Sequence, residues 1–126
     1  RRGLIAEYGI AWILPRLIGL PKAIELMFTS RKMDAGEALQ VGLVHRVLPD
    51  DGFLATVQEF AANLGNSVSP RSLRVMKQQI YAAQSQTLDQ AMDVAIEEML
   101  ASLQCEDFKE GVAHFLEKRE PKFTGR

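Results

Sequence analysis

Glu7 is the only acid in the stretch RRGLIAEYGIAWILPRLIG, where its neighbours are apolar residues and glycines. As a lone carboxylate its chemistry would be proton transfer. The plainer reading makes it an acid near the start of a helix over 10–17, favoured there by the helix dipole. The other groups able to do chemistry are isolated. Cys105 is the single cysteine, so no intrachain disulfide or cysteine-based metal site can form, and Glu106 and Asp107 beside it oppose an activated thiol. His45 lies in a short β-branched run and His114 in the last helical segment, neither with a second His or Cys at ligand spacing. Both read as structural, a zinc site is rejected, and no GxSxG or GxGxxG segment is present.

The elements that must position these groups are mostly helices. Pro21 opens a helix over 22–28 with Ala23, Ile24, Met27 and Phe28 on one face. Asp34 and Glu37 read as a capping box for a short helix that Gly42 closes. Leu43 to Leu48, stopped by Pro49, predicts a short strand, and 30–34 an extended link. Beyond Pro49 the period is helical. Leu54, Val57, Phe60, Ala61 and Leu64 form one stripe, with Gly65 and Asn66 marking its stop. Ser69-Pro70 starts a second helix with Leu73, Met76, Ile80 and Ala83 inward and Lys77 beside them. Thr87 and Gln90 box a third, with Leu88, Ala91, Ala95, Met99 and Leu103 inward, and a last helix over 107–119 carries Phe108, Val112, Phe115 and Leu116 before Pro121.

Composition bounds the class. With 126 residues, 47% of them hydrophobic and 25% charged, the chain fits one soluble domain with a core. A net charge of −1 gives no general reason to expect nucleic-acid binding. The longest apolar run, over 10–14, is too short to cross a bilayer, and no basic-plus-apolar leader precedes it, so a cytoplasmic protein without membrane association is expected. A mainly helical layer with one or two short strands is an unusual thing to find complete, because so few strands make no sheet. Neither Arg1 nor Arg2 reads as a natural start, and the chain is expected to begin inside a fold.

The blocks GLIAEYGIAWILPRLIG, AIELMFTSRKMDAGEALQVGLVHRVLP, SPRSLRVMKQQI and EDFKEGVAHFLEKREPKF, in that order and spacing, resemble the C-terminal half of the crotonase superfamily, the enoyl-CoA hydratase and isomerase group. The resemblance covers essentially the whole chain. It implies the C-terminal helical part of the α/β crotonase (ClpP-like spiral) fold. Residues 1–49 would then end the spiral core with the active-site turn, and 50–126 form a helical region for oligomerisation and coenzyme A contact. The N-terminal spiral half, with most of the thioester site, would lie outside this chain, and the piece alone would not catalyse. Trimers or dimers of trimers are implied as well.

The resemblance also implies roles. Such enzymes hold an acyl-CoA thioester so that two backbone N–H groups stabilise an enolate-like oxygen, with coenzyme A as part of the substrate and no separate cofactor. A base is needed near the substrate's α or γ carbon, and Glu7, between Ile5 and Ile10 and close to Trp12, is the candidate, with Trp12 a candidate substrate contact. Many hydratases resemble one another in having glycine at the position of Glu7 and two glutamates upstream of Arg1. Several double-bond isomerases have an acid there, which tilts the reading toward isomerisation. Hydration with Glu7 secondary, thioester hydrolysis and ring-forming synthesis stay open. In the last helix, Phe115 and Lys118 match positions that contact the adenine and phosphates of coenzyme A, an aromatic face and a cation for a nucleotide. Against this, Phe115 reads equally as core and Lys118 with Arg119 as a solvated helix end; Lys77 is a weaker ligand candidate. The competing class is a non-enzymatic helical binding module whose apolar stripes dock a partner protein.

Overall fold

The computed structural model describes residues 3–126; Arg1 and Arg2, where the sequence reads as a cut edge, lie outside the described residues. Two compact units follow one another along the chain, the first ending at Asp51 and the second spanning Gly52–Arg126. Seven helices and no strand are found among the described residues.

In the first unit, α1 (Ile10–Ile18) and α2 (Leu20–Thr29) pack on one another, with α3 (Ala35–Gln40) following. Gly19, at φ 80°, makes the sharp joint between α1 and α2, and Pro21 sits in the first turn of α2, where its missing N–H costs nothing. Leu14, Ala23 and Ala38 are the buried apolar side chains of this unit. Phe28, expected inward, is 83% exposed. Asp34 caps α3 by accepting from the Glu37 backbone N–H at 2.7 Å. The capping box is only half made, because the Glu37 carboxylate turns instead to Arg31 (2.7 and 2.5 Å) and Lys22 (3.2 Å).

The strand expected over 43–48 is not formed among the described residues. After Gly42, at φ 79°, the chain folds back on α3, and the N–H groups of Leu43 and Val44 both bond the Ala38 carbonyl, at 2.8 and 3.2 Å. Those donors are thereby lost to a ladder, and a lone β-branched run needs a partner strand to become one.

In the second unit come α4 (Phe53–Ser67), α5 (Pro70–Ala82), α6 (Leu88–Gln104) and α7 (Glu106–Glu117). Helix α4 runs through Gly65 and Asn66 to Ser67, so the expected stop there is two residues early. Ser69 and Thr87 cap α5 and α6 as expected, the second as a complete capping box with Gln90. Helices α5 and α6 pack together, and so do α6 and α7.

The inward faces agree with the expected ones at Leu73 and Ala91, which are half-buried, and differ elsewhere. Helix α5 buries Val75 and half-buries Ser72, Gln79 and Ala82, whereas Met76 and Ile80 are exposed. On α6 the half-buried set is Ala91, Val94, Glu98 and Ser102, while Leu88, Met99 and Leu103 are exposed. Each helix is thus turned about one residue, or roughly 100°, away from its apolar stripe. Small and polar residues make the α5–α6 contact, and Arg71 crosses it to Ser102 (2.5 Å) and Glu98 (3.2 Å). The larger apolar side chains of these helices are exposed in this chain.

Candidate functional site

Glu7 sits in a tight turn that the backbone builds without help from its side chain. The Ile10 N–H bonds the Glu7 carbonyl at 3.1 Å, and the two residues between, Tyr8 (φ 52°) and Gly9 (φ 74°), are both left-handed, as a type I′ turn requires. Gly9 is the N-cap of α1, and its carbonyl receives the Trp12 and Ile13 N–H groups at 2.9 and 3.1 Å. Helix α1 has neither a side-chain cap nor an acid in its first turn. Glu7, two residues before the N-cap, gives α1 no side-chain cap. Its carboxylate accepts no hydrogen bond and pairs with no cation among the described residues.

The apolar surroundings expected around Glu7 are not built within this chain. Glu7 is exposed, and Leu4, Ile5 and Tyr8 are 70%, 86% and 98% exposed. Trp12, one helical turn further, is half exposed. The Arg16 guanidinium lies 3.7 Å from the centroid of its ring and donates to the Trp12 carbonyl at 2.8 Å. One indole face is thus held by a cation–π contact.

Other acids of this unit have structural work. Lys22, Glu25, Arg31 and Glu37 form a four-membered network joining α2 to α3. Arg31, with Lys22 assisting, holds the Glu37 carboxyl down at about 2. The hydrogen bond from Lys22, then that from Arg31, lowers Glu25.

Phe115 and Lys118 share the end of α7. Phe115 is 77% exposed in this chain, and its stripe companions Phe108 and Val112 are nearly half exposed too. These side chains line a cleft of about 540 Å³ together with Ser69, Cys105, Asp107 and Phe123. Lys118 closes α7 in the left-handed conformation, at φ 52°, its N–H bonding the His114 carbonyl. No carboxylate pairs with Lys118 among the described residues. Arg119, by contrast, is locked to Glu110 (2.5 and 2.8 Å) and Glu117 (2.5 Å), which separates the two cations of the EKRE motif. Arg119 and then the Lys122 N–H hold Glu110 at about 2. His114 stands edge-on to Phe123 with ring centroids 5.9 Å apart, a packing role. Lys77 is exposed on α5.

One polar centre was missed from the sequence. Asp107, 3% exposed, accepts from the Ser69 hydroxyl at 2.5 Å and from the Thr124 and Gly125 N–H groups at 2.8 to 3.1 Å. Burial pushes its carboxyl up, but these bonds and one from the Arg71 backbone outweigh it and leave it lowered. The available signal was an acid in the first turn of α7 and a Ser-Pro cap at α5, 38 residues apart, with nothing in the spacing to join them.

The family profile described as enoyl-CoA hydratase/isomerase matches residues 1–126. The chain belongs to the enoyl-CoA hydratase/isomerase family. Within it, the 1,2-epoxyphenylacetyl-CoA isomerase of Escherichia coli K12 is 33% identical over 124 residues, covering 98% of this chain and 47% of that protein. A probable enoyl-CoA hydratase of Rhodobacter capsulatus is 35% identical over 128 residues, covering 100% of this chain and 49% of its own. A crystal structure of enoyl-CoA hydratase from Bacillus anthracis superposes with a TM-score of 0.92 at 31% identity, over 98% of this chain and 48% of that one. The chain spans about half the length of the curated relatives it matches, and its helices are those of the crotonase fold. No helix among the described residues is long and apolar enough to cross a membrane.

Proposed function

We propose that this chain is the C-terminal half of an enzyme acting on acyl-CoA thioesters through an enolate-like intermediate, with Glu7 as the proton shuttle of double-bond isomerisation. One observation carries the proposal: among the described residues the Glu7 carboxylate has no hydrogen-bond or ion-pair partner, yet a hydrogen-bonded turn fixes its backbone. A free carboxylate on a fixed turn has the attributes of a general base. In the reaction it would take a proton from C2 of a 3-enoyl thioester, the electrons of that C–H bond passing to the thioester oxygen to give a dienolate conjugated with the C3–C4 double bond. Returning that proton to C4 gives the 2-enoyl product, so one carboxylate serves both steps.

Phe115 and Lys118 would meet the adenine and phosphates of coenzyme A. In support, Phe115 presents an open aromatic face and Lys118 a cation with no carboxylate partner among the described residues, while Arg119 is engaged elsewhere. Trp12 would line the acyl side. The residues 1–126 alone would be inactive, since the oxyanion donors that the family resemblance implies are supplied by the other half. The complete protein would be a cytoplasmic trimer or hexamer built through the helical region, whose apolar stripes lack cover in one chain.

Hydration by two upstream glutamates is the second reading, favoured by the hydratase name of the Rhodobacter capsulatus relative. Glu7→Gln in the protein of the complete reading frame separates the two. Loss of double-bond migration supports the shuttle, and retained migration removes Glu7 from the chemistry.

A further inference from the structure

Three non-glycine residues adopt a positive φ among the described residues: Tyr8, Ser30 and Lys118. Two are ordinary helix ends. Ser30 and Lys118 close α2 and α7, each with its N–H bonding the carbonyl four residues back, so the left-handed residue satisfies a helix carbonyl. Tyr8 does nothing of the kind. It precedes a helix rather than ending one, and the turn it shares with Gly9 would be made without strain by glycine at both positions.

A bulky side chain in this region is a true outlier, and strain of this kind persists where something outside the turn makes use of it. Among the described residues nothing does. The Tyr8 side chain is 98% exposed, with no hydrogen bond or ring contact among the described residues. It belongs to the residue next to Glu7, and Leu4 and Ile5, four and three residues earlier in the chain, are 70% and 86% exposed. The turn therefore places one carboxylate and one exposed aromatic side chain on adjacent residues. This combination fits a ligand whose reacting carbon must reach Glu7 while its hydrocarbon continues past it.

We infer that Tyr8 is an acyl-contacting residue that sets which acyl groups are accepted beside Glu7. The inference rests on the proposed acyl-CoA reading. The ring supplies rigid apolar area, and the tail of a longer acyl group covers more of it than a short one does.

The test uses Tyr8→Gly, Tyr8→Phe and Glu7→Gln in the protein of the complete reading frame. Saturated hexanoyl-CoA and dodecanoyl-CoA are titrated by calorimetry, and melting temperatures are recorded alongside. Glycine fits the turn, so Tyr8→Gly is expected to fold, with the ratio of the two dissociation constants shifted at least about fivefold against the long chain. Tyr8→Phe is expected to keep the wild-type ratio. A ratio unchanged in Tyr8→Gly overturns the inference, and a melting temperature lowered at the same time assigns the ring to packing against the rest of the protein. Because saturated thioesters cannot isomerise, this readout is independent of Glu7. Glu7→Gln that binds both thioesters normally and still isomerises fails the shuttle while leaving Tyr8 intact.

Discussion

The Ser69 hydroxyl donates to the Asp107 carboxylate at 2.5 Å, joining the cap of α5 to the first turn of α7 across 38 residues of sequence. Ser69 also accepts from the Ser72 N–H at 3.1 Å, so one hydroxyl caps a helix and satisfies a buried acid. On its other side Asp107 holds the Thr124 and Gly125 N–H groups, which folds the C-terminal tail back on α7. Removing the acid orphans four donors in one place, the Ser69 hydroxyl and the Arg71, Thr124 and Gly125 N–H groups. Asp107→Ala is expected to cost on the order of 2–3 kcal/mol, read as a lower urea midpoint, because each buried donor left unmade costs more than its bond contributed. A midpoint within error of wild type would show that the tail is held by other means.

The Arg31–Glu37 pair gives a pH dependence whose sign is fixed. The Glu37 carboxyl lies at about 2 in the folded chain against 4.5 as an ordinary side chain, so the folded form holds its charge where the unfolded form has begun to take up a proton. Its contribution is present above about pH 4.5 and is lost as pH falls toward 2. Glu37→Gln is expected to flatten the stability profile in that window while leaving its shape above pH 6 unchanged, as measured by thermal unfolding across the range. Equal steepness in both proteins would contradict this.

Lys118 occupies a left-handed position that glycine takes freely. Lys118→Gly is therefore expected to be neutral or to stabilise by up to about 1 kcal/mol. The same change removes the cation proposed for the coenzyme A phosphates, and a rise in KM for an acyl-CoA of several-fold with kcat little changed is expected. Unchanged KM would leave Lys118 as a helix end alone.

Much of the helical layout was legible because local chemistry decides it. Ser69-Pro70, Thr87 with Gln90, and Asp34 are caps whose partners lie within three residues, and each begins a helix where expected. The order of the four sequence blocks likewise sufficed for the family. What failed depended on groups distant in sequence. Leu43 to Leu48 has strand composition but no ladder, Met76, Ile80, Met99 and Leu103 have core composition but no cover, and Asp107 finds Ser69 by tertiary packing. Apolar period reports that a face is meant to be buried, and not by what. In the site, the residue type of Glu7 was readable; the strained Tyr8–Gly9 turn that carries it was not.

The uncovered stripes lead to an expectation for residues 1–126 expressed alone. Val75 is the only apolar residue of the second unit that is buried among the described residues, and Phe53, Leu54, Phe60, Ile80, Met99 and Leu103 stand between 40% and 65% exposed. Such surface favours self-association. Light scattering is expected to give a mass that rises with concentration, and a strictly monomeric species at high concentration would contradict it.

Glu7 is tested most directly by comparing double-bond migration in a 3-enoyl-CoA between the wild-type protein of the complete reading frame and Glu7→Gln, at saturating substrate. Loss of a general acid–base group lowers the rate by about 10²- to 10⁴-fold, and a fall of at least 100-fold in kcat with thioester affinity preserved is the predicted result. Migration at the wild-type rate would contradict the role of Glu7 as proton shuttle.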